Sequence, residues 1–282
     1  MKRALLTTSF ILSIYCLFAQ SHIGIFVGPS AYNGDLANGF FPKKTSNIAV
    51  GLTYSKEFSA QARLRAGLTY TVLGGADRYS TNQGRILRNL SFETSLIEFS
   101  LLGEYYLLDL YEKRISPYVF AGGAIYHYNP YALYGNNQKA FLQPLSTEGQ
   151  GLTGYGTKPY SLTQPAIPFG GGVKFLLTEN IELGIELGAR KLFTDYLDDV
   201  STNYADQADL LAAKGQLAVD ISYRGDEITG GSASYPAKGY IRGGSDKKDW
   251  YYFGGIHLSF TLGGNSGYGG KKSRMGCPAI PM

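Results

Sequence analysis

The residues best suited to chemistry are few and widely spaced. The chain has three histidines in 282 residues. His127 falls at the outer rim of a candidate strand, where Asp195, Asp198 or Asp199 of a later loop could approach it. A histidine oriented by a carboxylate is the arrangement of a general base. No nucleophile at a fixed spacing accompanies it, so the set reads as a loop anchor. The acid run DYLDD, Asp195 to Asp199, offers the oxygen ligands that calcium prefers. It lacks the spaced pattern of a calcium loop, and turn formation with loop anchoring is the better reading. Gly170 to Gly172 follow Pro168 and lead into no helix. They are therefore no phosphate loop and instead permit a bend or a close backbone approach. The chain is read as non-enzymatic, with no catalytic, cofactor-binding or metal-ligating residue assigned and no cofactor expected.

The elements that must position these residues show in the stretch NIELGIELGARKLFTDYLDDV, residues 180–200. Side chains alternate faces along a strand. Ile181, Leu183, Ile185, Leu187 and Ala189 then form an apolar face, while Glu182, Glu186 and Arg190 share the other with two glycines. The same division recurs elsewhere. Ile48, Val50, Leu52 and Tyr54 share one face; Leu64, Leu68 and Tyr70 oppose Arg63 and Arg65; Ile97, Phe99, Leu101, Tyr105 and Leu107 oppose Glu98 and Glu104. Near the C-terminus Tyr252, Ile256, Leu258, Phe260 and Leu262 oppose His257. Runs from His22, Ser116 and Ile167 complete about eight strands, their alternation blurred by glycine and tyrosine.

Connections between these strands alternate in length. Long ones fall at about 31–45, 75–90, 129–165 and 194–249, and short ones at SKEFSAQ, LDLYEKR and TEN. Long loops on one side and short turns on the other are the mark of a transmembrane barrel of the bacterial outer membrane, with both chain ends on the periplasmic side. The fold class is all-β: an eight-stranded antiparallel transmembrane β-barrel with long extracellular loops and short periplasmic turns. In that fold the apolar face meets lipid and the charged face fills a lumen just wide enough for side chains. Arg63, Arg65, Glu98, Glu104, Lys174, Glu182, Glu186 and Arg190 are of both signs in nearly equal number, so they should pair across the interior. Tyr54, Tyr70, Tyr105, Tyr126, Tyr251 and Tyr252 suit interfacial girdles. In the last loop NYADQADLLAAKG predicts a short helix with Ala205, Ala208, Leu211 and Ala212 on one face, acids early and Lys214–Gly215 at its end.

Composition agrees with this class. Gly 37 and Tyr 23 accompany a single Trp, a balance that favours strands and turns. Residues 1–19 carry Lys2 and Arg3 and then an apolar stretch too short to span a bilayer, which predicts a signal peptide cleaved after Ala19. Tyr15 before Cys16 excludes lipid attachment there. Cys277 is then the one remaining thiol, so no internal disulfide is expected. The formal charge of +4 resides in the two ends; nothing points to nucleic acid. The residues after Leu262 begin GGNSGYGG and read as a flexible periplasmic tail, 263–282, with a basic end.

The run GARKLFTDYLDDVSTNY (Gly188 to Tyr204), the following ADQADLLAAKGQLA, and DKKDWYYFGGIHLSFTL resemble the PorG-like outer-membrane barrels of the type IX secretion system. The resemblance is strongest over residues 180–262 and rests on strand layout over 21–178. It implies a non-enzymatic barrel in the outer membrane of a Gram-negative bacterium. The expected partners are outer-membrane lipid and periplasmic ring proteins of the PorK and PorN type, which the barrel would tether in support of protein export and gliding. The alternative is a free-standing OmpA-like or OmpW-like barrel serving membrane integrity or the passage of small apolar solutes.

Overall fold

Eight long strands hydrogen-bond to their neighbours in chain order and the last pairs with the first, closing the sheet on itself. The computed structural model describes residues 20–262 apart from 38, 40, 41 and 43. The strands are β1 (Ser21–Asn33), β2 (Asn47–Ser59), β3 (Ala62–Ala76), β4 (Ser91–Tyr106), β5 (Ile115–Tyr134), β7 (Thr163–Thr178), β8 (Ile181–Leu192) and β9 (Trp250–Leu262). A short strand, β6 (Gln138–Phe141), folds back on the end of β5 outside the barrel. Every pairing is antiparallel, and closure runs from Ser21 opposite Leu262 to Asn33 opposite Trp250. A closed sheet leaves no edge with unpaired amides, which is the condition for strands to cross lipid. The expected signal peptide and basic tail lie outside the described residues.

Side chains close the tight turns at one end. Ser59 Oγ accepts from the Ala62 amide at 3.1 Å, Asp109 Oδ1 from the Tyr111 amide at 2.8 Å, and Thr178 Oγ1 from the Asn180 amide at 3.3 Å. The four long connections gather at the other end, as the alternating loop lengths required. One departure concerns the last loop. Its helix, Gln207–Lys214, is capped by Asp206, whose side chain accepts from the Ala208 and Asp209 amides. The buried residue is Leu210, however, while Leu211 is exposed. A second helix, Gln216–Ser222, follows at once and buries Ala218 and Val219 beside Leu210. That partner sets the facing, and the periodicity of the first helix does not.

The outer wall is apolar. Ile48, Leu52, Leu68, Phe99, Ile125, Ile185 and Ile256 are all more than half exposed, a contiguous greasy surface that a soluble monomer rarely shows. Alternate residues point inward and are buried. Tyr54, Tyr70 and Tyr105 stand on the outer wall, as a girdle needs. Tyr126 and Tyr251 do not: both are fully buried in the lumen, their rings edge-to-face at 5.7 Å. Inward facing follows from strand parity, since Tyr126 shares its face of β5 with the buried Tyr118 and Phe120. Tyr252 has outward parity but is buried too, with the Asn33 side chain donating to its hydroxyl at 3.4 Å.

The glycines of β7 make room for that interior. A Cβ on Gly170 would stand 2.2 Å from the Leu187 carbonyl oxygen and 2.7 Å from the Phe120 ring, and one on Gly172 would stand 2.3 Å from the Ile185 carbonyl oxygen. Both positions face inward, so glycine here lets Phe120 and Tyr118 lie against the wall.

Candidate functional site

The inward face of the sheet places five carboxylates, Glu57, Glu98, Glu104, Glu182 and Glu186, and four cations, Arg63, Arg65, Lys174 and Arg190, in the lumen, where they pair in two tiers. Near the short turns, the Arg63 guanidinium donates both ways to Glu182, at 2.7 and 2.8 Å, and also pairs with Glu57. Arg65 sits one inward step further along β3 and bridges Glu104 at 3.0 Å and Glu186 at 2.7 Å. Lys174 lies between them, 3.8 Å from Glu104 and 3.7 Å from Glu182. Tyrosine hydroxyls complete the carboxylates: Tyr106 donates to Glu104 at 2.7 Å and Tyr118 to Glu186 at 2.6 Å. The second tier lies nearer the loops, where Arg190 donates to Glu98 at 3.1 and 3.2 Å and Tyr251 donates to the same carboxylate at 2.6 Å.

All eight charged residues expected in the lumen are there. Two further members, Glu57 and His22, were missed in the sequence. Glu57 has the parity of the inward Ser55, a signal masked by the tight turn that follows it. His22 Nε2 lies 3.1 Å from Glu57, and its Nδ1 lies 3.9 Å from Glu182. These three residues present ligand atoms within 4.8 Å of one another. Arg63 already bonds both carboxylates, so the charge a metal would supply is in place and the cluster does not fit one. Buried charges are tolerable only when paired, and this network pairs each of these charges while filling the barrel, most through hydrogen bonds and Lys174 through ion pairs at 3.7 and 3.8 Å.

A second polar cluster roofs the loop end. The acids of the DYLDD run are buried there, Asp195 bracing its own loop while Asp198 and Asp199 tie it to other segments. Asp195 accepts from Ser201 Oγ at 2.8 Å. Asp198 accepts from the Tyr32 hydroxyl at 2.5 Å and the Val200 amide at 2.9 Å. Asp199 accepts from Thr147 at 2.5 Å and Tyr160 at 2.7 Å. Arg242 reaches in from the far end of the last loop, donating to Glu148 at 3.0 Å and to the Asp199 carbonyl at 2.6 Å. Glu148 in turn accepts from the Ser201 and Thr202 amides, both at 2.9 Å. Asp249 holds the Leu197 amide at 2.9 Å. His127 takes no part: its side chain is on the outer wall, bonded to Thr163 at 2.9 Å. The structure therefore separates the histidine from the acids that could have approached it, because an odd position on β5 faces outward.

A family model described as a domain of unknown function, DUF6089, matches residues 2–223. The chain belongs to the DUF6089 family. No curated protein matches. Among solved structures the DUF6089 chain is similar to Neisserial surface protein A, with 8% identity, 86% of this chain and 99% of that one covered, and a TM-score of 0.43. It is also similar to Ail, the attachment invasion locus protein of Yersinia pestis, at 9% identity over 86% and 99% with a TM-score of 0.39. A third is the outer membrane protein OprG from Pseudomonas aeruginosa, at 13% identity over 86% and 94% with a TM-score of 0.37.

The roof of this DUF6089 barrel has a pH dependence of definite sign. Burial pushes the Asp195 carboxyl up to about 7 and the Asp199 carboxyl, beside Arg242, up to about 6, from an ordinary 3.8. Burial likewise raises Asp198 and Asp249, which also oppose each other's charge. A carboxyl whose folded pKa is raised binds its proton more tightly when folded. Its contribution to stability is complete below about pH 3.8 and is lost as the pH rises through 6 to 7. Protease protection of the long loops should therefore fall between pH 5 and pH 8, with the barrel intact. Asp195→Asn should flatten part of that fall, and protection that rises over the same range would contradict the assignment.

Proposed function

We propose that the chain is a non-enzymatic barrel of the outer membrane in a Gram-negative bacterium, and that it anchors the periplasmic ring of the type IX protein secretion and gliding machinery. The observation that carries this reading is the filled lumen. A continuous apolar outer wall suits lipid, whereas the interior is occupied by paired charges and stacked tyrosines from the short turns to the roof. A plugged barrel acts through its surfaces, and a rigid, inserted body is what an anchor requires. The same plug weighs against the passage of small apolar solutes, which would have to displace desolvated ion pairs. The PorG-like segment from Phe193 to Ser201 supports the secretion reading.

The test is deletion of the gene with comparison of the exported proteins, combined with photo-crosslinking from the short turns at Lys56, Asp109 and Glu179. Loss of cargo secretion and crosslinks to PorK- or PorN-type proteins are expected. Normal secretion with no such crosslink would favour a free-standing barrel that serves membrane integrity.

A further inference from the structure

A pocket of about 480 Å³ opens on the outer wall at the loop end, above the ends of β3, β4 and β5, within the size range of small-ligand sites. Its position relative to the apolar belt is defined. Asn47 lines the pocket, and the next residue, Ile48, is 69% exposed and the outermost apolar side chain of β2. The pocket therefore begins where the greasy wall ends. Glu93 and Tyr131 face each other across β4 and β5 on its floor, the Tyr131 hydroxyl donating to Glu93 at 2.7 Å, with Lys139 Nζ 4.1 Å from the Tyr131 ring.

The cations of the pocket are not all compensated. Arg224 is committed to Glu227 at 2.8 Å, while Glu93, the carboxylate of the lining, accepts from the Tyr131 hydroxyl. Lys44 and Arg78 remain. They approach the ring of Tyr79 at 5.0 and 4.9 Å, and among the described residues neither has a carboxylate within ion-pair distance. Two exposed positive charges, on Lys44 and Arg78, thus flank one partly enclosed site at the edge of a lipid-facing wall. A phosphate monoester carries about −1.5 to −2 at neutral pH and offers three acceptor oxygens, and arginine and lysine are the side chains suited to it.

We propose that this pocket seats a phosphate monoester borne by the headgroup of a lipid in the leaflet around the loop end of the barrel. The proposal rests on the reading that the barrel spans the outer membrane. The pocket's place supports a lipid over a soluble phosphate: acyl chains attached to the bound group would lie directly along Ile48, Tyr70 and Ile97, which are 69%, 47% and 49% exposed.

The experiment uses the full chain refolded into vesicles, with insertion scored by heat-modifiable migration, and then measures lipid retained in detergent by native mass spectrometry. The probes are bis-phosphorylated lipid A, the same lipid A with its phosphates removed, and inorganic phosphate. The wild type should retain the phosphorylated lipid, and Lys44→Ala with Arg78→Ala should weaken retention at least tenfold while insertion is unchanged. Dephosphorylated lipid A should bind the wild type as weakly as the phosphorylated form binds the double variant. Equal retention by wild type and double variant, or equal binding of the two lipids, overturns the proposal. Displacement by inorganic phosphate at the same concentration as the lipid overturns the lipid assignment in favour of a soluble phosphate. A chain that fails to insert overturns the membrane reading and this proposal together, whereas an inserted chain indifferent to the phosphate overturns only the proposal.

Discussion

Leucine in place of Arg65 should destabilise the barrel by about 3–5 kcal/mol, the usual cost of removing one partner from a buried ion pair. Arg65 is 3% exposed and serves two carboxylates, Glu104 and Glu186. Its removal leaves Glu186 with only the Tyr118 hydroxyl and Glu104 with Lys174 at 3.8 Å and the Tyr106 hydroxyl. Water cannot easily restore what is lost, because Tyr118 and Phe120 line the same part of the lumen. The measurement is the urea midpoint for conversion between the folded and unfolded gel bands in micelles. Ile185→Leu, on the outer wall of β8 beside Glu186, is the control. It is 55% exposed and should cost less than about 1.5 kcal/mol, as volume-conserving apolar exchanges do. Adding Glu186→Gln to Arg65→Leu should recover part of the loss, since the uncompensated charge causes most of it. Equal tolerance at Arg65 and Ile185 would mean that the inner and outer faces have been exchanged.

Alanine in place of Arg242 should release the roof and leave the barrel standing. Arg242 is 3% exposed and is the cation that Glu148 and Asp199 share, at 3.0 and 3.6 Å. Its carbonyl oxygen also accepts from Arg88, which is itself bidentate to Asp77 at 2.7 and 2.8 Å. The Arg242 side chain thus links the third and fourth long loops, while its backbone carbonyl ties in the second. Leaving two carboxylates buried without it should cost about 3–5 kcal/mol, and the loss should fall on the roof, since opening there breaks no barrel strand. Limited proteolysis should cut within residues 194–249 many times faster in Arg242→Ala than in the wild type, with the folded gel band and its urea midpoint unchanged. Loops equally protected in both proteins would show that Arg242 is not what holds them. A barrel that falls apart with the roof would show that the two are one cooperative unit.

How much of this could be read from residue order depends on the range of the physics involved. Strand alternation has a period of two and is local, so the outward Ile185 and the inward Glu186 declared their faces in a ten-residue window. Because closing a small barrel leaves room for little besides side chains, the interior pairing of Arg63 or Arg190 with some carboxylate followed from composition as well. The choice of partner did not. Arg63 meets Glu182 and Arg190 meets Glu98 only because strand stagger brings β3 and β4 opposite β8 across the lumen, a consequence of register. Tyr126 and Tyr251 resemble girdle residues in any window, and parity within the closed sheet turns them inward. Leu210 and Leu211 are equally apolar neighbours on one helix; the helix that packs against it decides which is buried. Roof and rim pocket were the least legible of all. Asp198 with Tyr32, Arg242 with Glu148, and Lys44 with Tyr79 are brought together by loops whose paths over the barrel mouth depend on long-range packing, and no local period encodes such a path.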